Sequence, residues 1–213
     1  MSFSVSSIVS FIAHHAAWTF PVMFLTSFGE SFVFVSLLVP GTTIMILAGA
    51  LVPDGTVPFL PLVSGAISGA VLGDAISWWL GLKYGEQITK RWPLSRHPEV
   101  VARGEAFFGR LGTLSVFVGR FFGPLRASIP LAAGILKMRA GPFWFANIGS
   151  AVIWAPALLI PGSMAVWVSR LEVIPPEMRP LVVVGVLLAI FALFWLLQRY
   201  RWFGLLGLFG RGE

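Results

Sequence analysis

The chain has 213 residues, of which 57% are hydrophobic and only 11% charged, with a mean hydropathy of +0.87. A soluble domain would carry about 25% charged residues, so a soluble fold is excluded and a single polytopic membrane domain over residues 1–213 is expected. The formal net charge of +6 does not point to nucleic acid, because the basic residues flank apolar segments, the pattern by which a membrane protein fixes its orientation. With no cysteine, disulfides, thiolate metal sites and thiol catalysis are excluded.

The N-terminus, MSFSVSSIVSF, has no basic residue before its apolar stretch and no small-residue cleavage signal, so its first hydrophobic piece is expected to stay on the chain. Ile8 to Phe28 is apolar but holds His14, His15 and Pro21, and reads as a weak span or an interfacial helix. Glu30 follows, then two apolar limbs, Ser31 to Val39 and Thr42 to Val52, separated by Pro40-Gly41. Each limb is too short to cross a bilayer at a helical rise of about 1.5 Å per residue, so the pair reads as a hairpin that enters and returns.

Leu62 to Leu82 is a full span, with Ser64, Gly65, Ser68, Gly69 and Gly73 spaced for close helix packing, and with Asp74 inside it. Lys83 to Arg110 is the main hydrophilic loop, with an amphipathic helix expected around Val100 to Phe108. Leu111 to Leu136 is apolar again but contains Arg120 and Arg126, on either side of Gly123-Pro124. A guanidinium at membrane depth costs about 2.5 to 3.5 kcal/mol on insertion scales, so it is expected to face a polar cavity, a carboxylate or an anionic ligand. Pro124 and Pro130 argue against a straight helix, and broken backbone within a membrane needs protein or water around it. Further spans are expected at Phe143 to Trp167 and Leu181 to Leu197, giving about four transmembrane helices plus two short hairpins in an all-α fold.

Basic residues decide how the arginine segment runs. If Leu111 to Leu136 crossed fully, the extramembrane Lys and Arg would divide eight to five. If it re-enters, they divide eleven to two, with only Arg170 and Arg179 opposite the main loop. The positive-inside rule favours re-entry and places the 83–110 loop and the C-terminus in the cytoplasm. The two hairpins then enter from opposite faces as an inverted repeat, and they share a local pattern: Pro40-Gly41 precedes Ala48-Gly49, and Gly123-Pro124 precedes Ala133-Gly134. Paired interrupted segments of this kind point to a transport site near the midplane.

The run GRFFGPLR followed by PLAAGILKM resembles the DedA family, whose shared region is often called the VTT or SNARE-associated domain. The resemblance spans roughly Phe28 to Trp167 and rests on Glu30, Pro40-Gly41, Ala48-Gly49, Leu72-Gly73-Asp74, Gly119-Arg120-Phe121 with Pro124 and Arg126, Ala133-Gly134, Met138, and Asn147 with Trp154. It implies a multi-pass protein of the bacterial inner membrane with two opposed re-entrant hairpins. It further implies lipid movement, with bacterial members linked to recycling of undecaprenyl phosphate, and proton coupling proposed for several. The chain departs from the family in having Thr42 where an acidic residue commonly follows the first Pro-Gly, so one carboxylate of the proposed coupling set is missing.

The candidate site therefore consists of Arg120 and Arg126 as phosphate-binding groups, and of Glu30 and Asp74 as proton-coupling or ion-pairing groups. A guanidinium suits phosphate because its planar donor fork matches the oxygens. A structural alternative is that the arginines pair with Glu30 and Asp74 and hold the hairpins together, and the two roles are compatible. Thr42 and Thr43 line the pocket or cap a helix; Asn147 lines it or bonds between helices. His14 and His15 read as interface residues and His97 as a solvated loop residue, so no metal site is expected, and no catalytic residue or cofactor either. The expected partners are a phospholipid or polyprenyl phosphate, the membrane and protons, and a homo-oligomer is compatible with the sequence. The competing functions are a proton-coupled antiporter of small cations or drugs and a membrane lipid phosphatase or transferase; the latter lacks a nucleophile, base or metal set around the phosphate.

Overall fold

The computed structural model describes residues 5–36, 38–85, 87, 98–121 and 126–169, with positions 178, 181 and 185. The described elements are α1 (Val5–His14), a 3₁₀ turn (Ala16–Trp18), α2 (Thr19–Ser31), α3 (Gly41–Gly49), α4 (Phe59–Tyr84), α5 (Pro98–Leu111), α6 (Thr113–Gly119), α7 (Ser128–Ile135) and α8 (Ala140–Ser169). The fold is that of an all-α membrane protein. Two helices, Phe59–Tyr84 and Ala140–Trp167, are each long and apolar enough to cross a bilayer. The span expected at Leu181 to Leu197 lies outside the described residues, as does Gly123-Pro124.

The N-terminal piece is not one straight helix. The chain bends by 119° between Ser6–His14 and Ala16–Ser31, so the weak span expected over Ile8 to Phe28 is a bent pair, and Glu30 lies within the last turn of α2. The first limb of the expected hairpin also differs: after α2 the chain passes through turns from Phe32, and only α3 beyond Pro40 is helical. The run SFVFVSLLV is rich in β-branched and aromatic residues, which lose rotamer freedom in a helix, so a turn displaces the expected limb. The amphipathic helix of the hydrophilic loop is α5, and the break in the arginine segment is real: α6 ends at Gly119 and α7 begins at Ser128.

Glycine dictates how closely the helices approach. A Cβ added at Gly65, Gly69 or Gly73 of α4 would stand 2.7, 2.2 or 2.7 Å from the carbonyl oxygens of Phe20, Phe24 and Phe28 on α2. The period of four on both helices keeps this stripe on one face of each. Ser27 adds an interhelical hydrogen bond to the Ala66 carbonyl at 2.7 Å.

The two short helices after each break are held in the same way, each by the long helix of the other half. On α3, an added Cβ at Gly49 would lie 2.2 Å from Leu159 O of α8, and one at Gly162 of α8 would lie 1.9 Å from Ile46 O of α3. On α7, an added Cβ at Gly134 would lie 2.1 Å from Trp78 O of α4, and one at Gly81 of α4 would lie 2.4 Å from Leu131 O of α7. In all four cases the carbonyl met belongs to the residue three before the opposing glycine. The Ala-Gly pairs that recur in the sequence are thus the equivalent contact points of a structural repeat. Ser163 seals the first crossing with a 2.7 Å hydrogen bond to Gly49 O.

Candidate functional site

The charged groups collect between α2, α4, α8 and the turn that separates α6 from α7. Asp74 lies in the middle part of α4, and Trp154 lies at the middle of α8. Arg120 and Arg126 are 3% and 5% exposed, Asp74 3% and Glu30 9%. Four ionisable side chains at this burial require partners, since an isolated buried charge is strongly disfavoured.

They have partners in two clusters. Arg120, at the C-terminal end of α6, forms an ion pair through Nη2 with Asp74 Oδ2. The same nitrogen donates to Asn147 Oδ1 and, at 3.3 Å, to Asn147 O, while Nε donates to Ser150 Oγ at 2.9 Å. Asn147 is itself fixed by donating from Nδ2 to Val71 O at 3.0 Å, and Ser150 Oγ donates to Asn147 O at 3.1 Å. Arg126 pairs through Nη1 with Glu30 Oε1 at 2.9 Å and donates from Nη2 to Ser31 Oγ at 2.7 Å. Thr42 Oγ1 donates to the same Glu30 oxygen. The ring of Trp154 lies under both guanidinium groups, with its centroid 3.8 Å from Arg126 Cζ and 5.9 Å from Arg120 Cζ.

The structure thus brings together six of the seven sequence-derived candidates: Arg120 with Asp74 and Asn147, and Arg126 with Glu30 and Thr42. Thr43 is exposed and stands in neither cluster. Ser31 and Ser150 join as site residues without any comparable sequence signal, and Trp154, which the sequence offered only beside Asn147 in the family resemblance, joins them. Their nearest trace is the spacing of Asn147, Ser150 and Trp154 at i, i+3 and i+7, which sets them on one face of α8.

Each ion pair is incompletely satisfied among the described residues. Arg120 Nη1, Arg126 Nε, Glu30 Oε2 and Asp74 Oδ1 are buried and lack a hydrogen-bond partner there. Glu30 Oε2 faces Gly41, where an added Cβ would fall 2.1 Å from it. The clusters carry two positive and two negative groups, so as ion pairs they are neutral together. Thr42, directly after Pro40-Gly41, supplies a hydroxyl donor to Glu30. Thr42→Val is expected to destabilise the protein by about 1.5 to 3 kcal/mol, the range for losing a hydrogen bond to a charged group, and Thr42→Ser to retain most of it. Thermal unfolding of the detergent-solubilised variants measures this; equal melting of the valine variant and the wild type would remove Thr42 from the site.

These features define a polytopic helical membrane protein with a charge-paired centre between two interlocked halves. The VTT domain matches residues 39–164, more than half of the chain, and the chain belongs to that family, the DedA family. It is 31% identical to inner membrane protein YabI of Escherichia coli K12 over 73% of this chain and 61% of that protein. It is also 31% identical to inner membrane protein YghB of the same strain, over 75% of this chain and 74% of that protein. Membrane protein BU139 of Buchnera aphidicola is 31% identical over 74% of this chain and 61% of its own length. The chain thus spans about three fifths of the length of the first of these relatives. No solved structure matches the chain.

Proposed function

We propose that this protein is a transporter that moves a phosphorylated lipid across the bacterial inner membrane, with a polyprenyl phosphate such as undecaprenyl phosphate as its cargo, in the service of carrier recycling. The observation that carries the reading is the pair of buried arginines at a helix break, each with a guanidinium nitrogen that has no hydrogen-bond partner among the described residues. An ion pair that served packing alone gains from complete satisfaction of its donors, because each unpaired buried donor costs about 1 to 3 kcal/mol. A phosphate group supplies several oxygens at once and suits the planar fork. Mid-length placement of Asp74 on α4 and Trp154 on α8 supports a centre near the bilayer midplane, where transporters built from paired interrupted segments bind their cargo.

In this reading α3 and the α6–α7 segment are the ends of two re-entrant hairpins entering from opposite faces. The 83–110 loop and the C-terminus are cytoplasmic, in keeping with the distribution of basic residues. Glu30 and Asp74 act as the exchangeable counter-ions of the arginines and carry the coupling to protons. The protein is accordingly not an enzyme and uses no cofactor.

The test is reconstitution in liposomes with labelled polyprenyl phosphate and, side by side, ordinary phospholipid, with and without a pH gradient. Arg126→Lys is expected to lose at least ten-fold in polyprenyl phosphate movement despite its retained charge, because a point charge cannot keep the fork on Glu30, Ser31 and phosphate together. Full activity of the lysine variant would count against phosphate capture. Retained lipid movement in Arg120→Ala, with loss of pH-dependent cation flux, would instead establish the antiporter alternative.

A further inference from the structure

Among the described residues, Trp154 is the one aromatic ring recorded against either arginine, and it meets both. It is 4% exposed, lies at the middle of α8, and continues the face on which Asn147 and Ser150 hold Arg120. At 3.8 Å from Arg126 Cζ to the ring centroid, the guanidinium is in van der Waals contact with the indole face. Such stacking satisfies a cation through the ring quadrupole and uses none of its N–H donors, which stay in the guanidinium plane. Two of those donors reach Glu30 and Ser31, one from each terminal nitrogen, and Nε is the nitrogen with no hydrogen-bond partner among the described residues.

We propose that Trp154 is the positioning residue of the site: its indole face fixes the plane of the Arg126 guanidinium so that the donor edge stays presented to an oxyanion when Glu30 lets go. The chemistry of the arrangement explains why an aromatic ring stands here and not another carboxylate. A second carboxylate would compete with phosphate for the same edge, whereas a ring holds the charge from the face and leaves the edge free. The 5.9 Å approach to Arg120 makes the same ring a shared floor for both cations, so their positions are set relative to one another across the helix break. The functional half of this inference rests on the phosphorylated-lipid reading above; the stacking itself does not.

The experiment has two arms. In proteoliposomes of phosphatidylethanolamine and phosphatidylglycerol loaded with labelled polyprenyl phosphate, Trp154→Leu is expected to raise the half-saturating lipid concentration about five-fold or more, as loss of a desolvated cation–π contact implies, with the maximal rate nearly unchanged. Trp154→Phe, which keeps a ring, is expected to recover most of that loss. An unchanged half-saturating concentration in the leucine variant, or a loss that phenylalanine does not recover, overturns the proposal. In the second arm, 5-fluorotryptophan is placed at position 154 of the otherwise unaltered chain in detergent. Its ¹⁹F resonance is expected to move in the Arg126→Lys background and again on titration of the wild type with polyprenyl phosphate. A resonance that Arg126→Lys leaves in place overturns the stacking whatever the transport result. Wild-type vesicles that move no polyprenyl phosphate overturn the functional half and the transport reading together, and the lysine shift then decides the stacking alone.

Discussion

Arg120→Ala is expected to abolish lipid movement and to cost about 3 to 5 kcal/mol of stability, the cost of removing one member of a buried ion pair. The alanine leaves Asp74 buried without its counter-ion, and at the same time removes the donors that reach Asn147 and Ser150. A neutral replacement separates the two effects. In Arg120→Met with Asp74→Leu, both charges are gone and the volumes are roughly kept, so the fold is expected to recover most of its stability, since apolar isosteres of buried ion pairs are commonly neutral or stabilising. Transport is expected to stay absent in that double variant. Melting temperature in detergent and flux in liposomes read the two quantities independently. A double variant that both folds and moves polyprenyl phosphate would sink the phosphate-capture role, leaving the pair as packing only.

The second large effect is expected at the helix crossings. Gly134→Ala places a methyl group 2.1 Å from the backbone oxygen of Trp78 and 2.9 Å from Gly81 Cα, so no side-chain rotation relieves it and α7 must move off α4. A loss of about 3 kcal/mol, the upper end of ordinary overpacking, is expected. The repeat makes Gly49→Ala, against Leu159 O at 2.2 Å, an equivalent lesion in the other half. Gly109→Ala is the control: nothing lies within 4 Å of a Cβ built there, and in a helix the change is expected to be neutral or to stabilise by about 0.5 to 1 kcal/mol. Thermal unfolding of the three variants checks the ranking. If Gly134→Ala melts with the control, the close crossing of α4 and α7 is wrong.

Much of this was legible in the sequence because membrane insertion penalises few things so heavily as charge and broken backbone. Arg120, Arg126 and Asp74 stood out for their placement in apolar runs, and Pro40-Gly41 marked the start of α3, whereas Pro21, Pro130, Pro156 and Pro161 lie inside helices. What the spacing could not give was the pairing. Arg120 and Arg126 are six residues apart across a break, so nothing local says that one turns to Asp74 on α4 and the other to Glu30 on α2. Ser31 and Ser150 were invisible for a related reason: a serine in a span bonds most often to its own helix, as Ser64 and Ser68 do here. Trp154 entered only beside Asn147 in the family resemblance, with no role attached, because tryptophan in a membrane protein reads first as an interfacial anchor. The limb expected at Ser31 to Val39 failed since hydrophobicity alone does not make a helix of β-branched residues. The repeat was visible as two Ala-Gly pairs, but that each would seat on the long helix of the opposite half is a matter of tertiary topology.

That exchange of seats bears on how the protein is made. As the chain is synthesised, α3 is made well before its glycine socket on α8, and α4 before α7 in the same way. Each crossing therefore closes only when the later partner has been made, which gives the fold contacts between residues far apart in the sequence, the kind that slow folding.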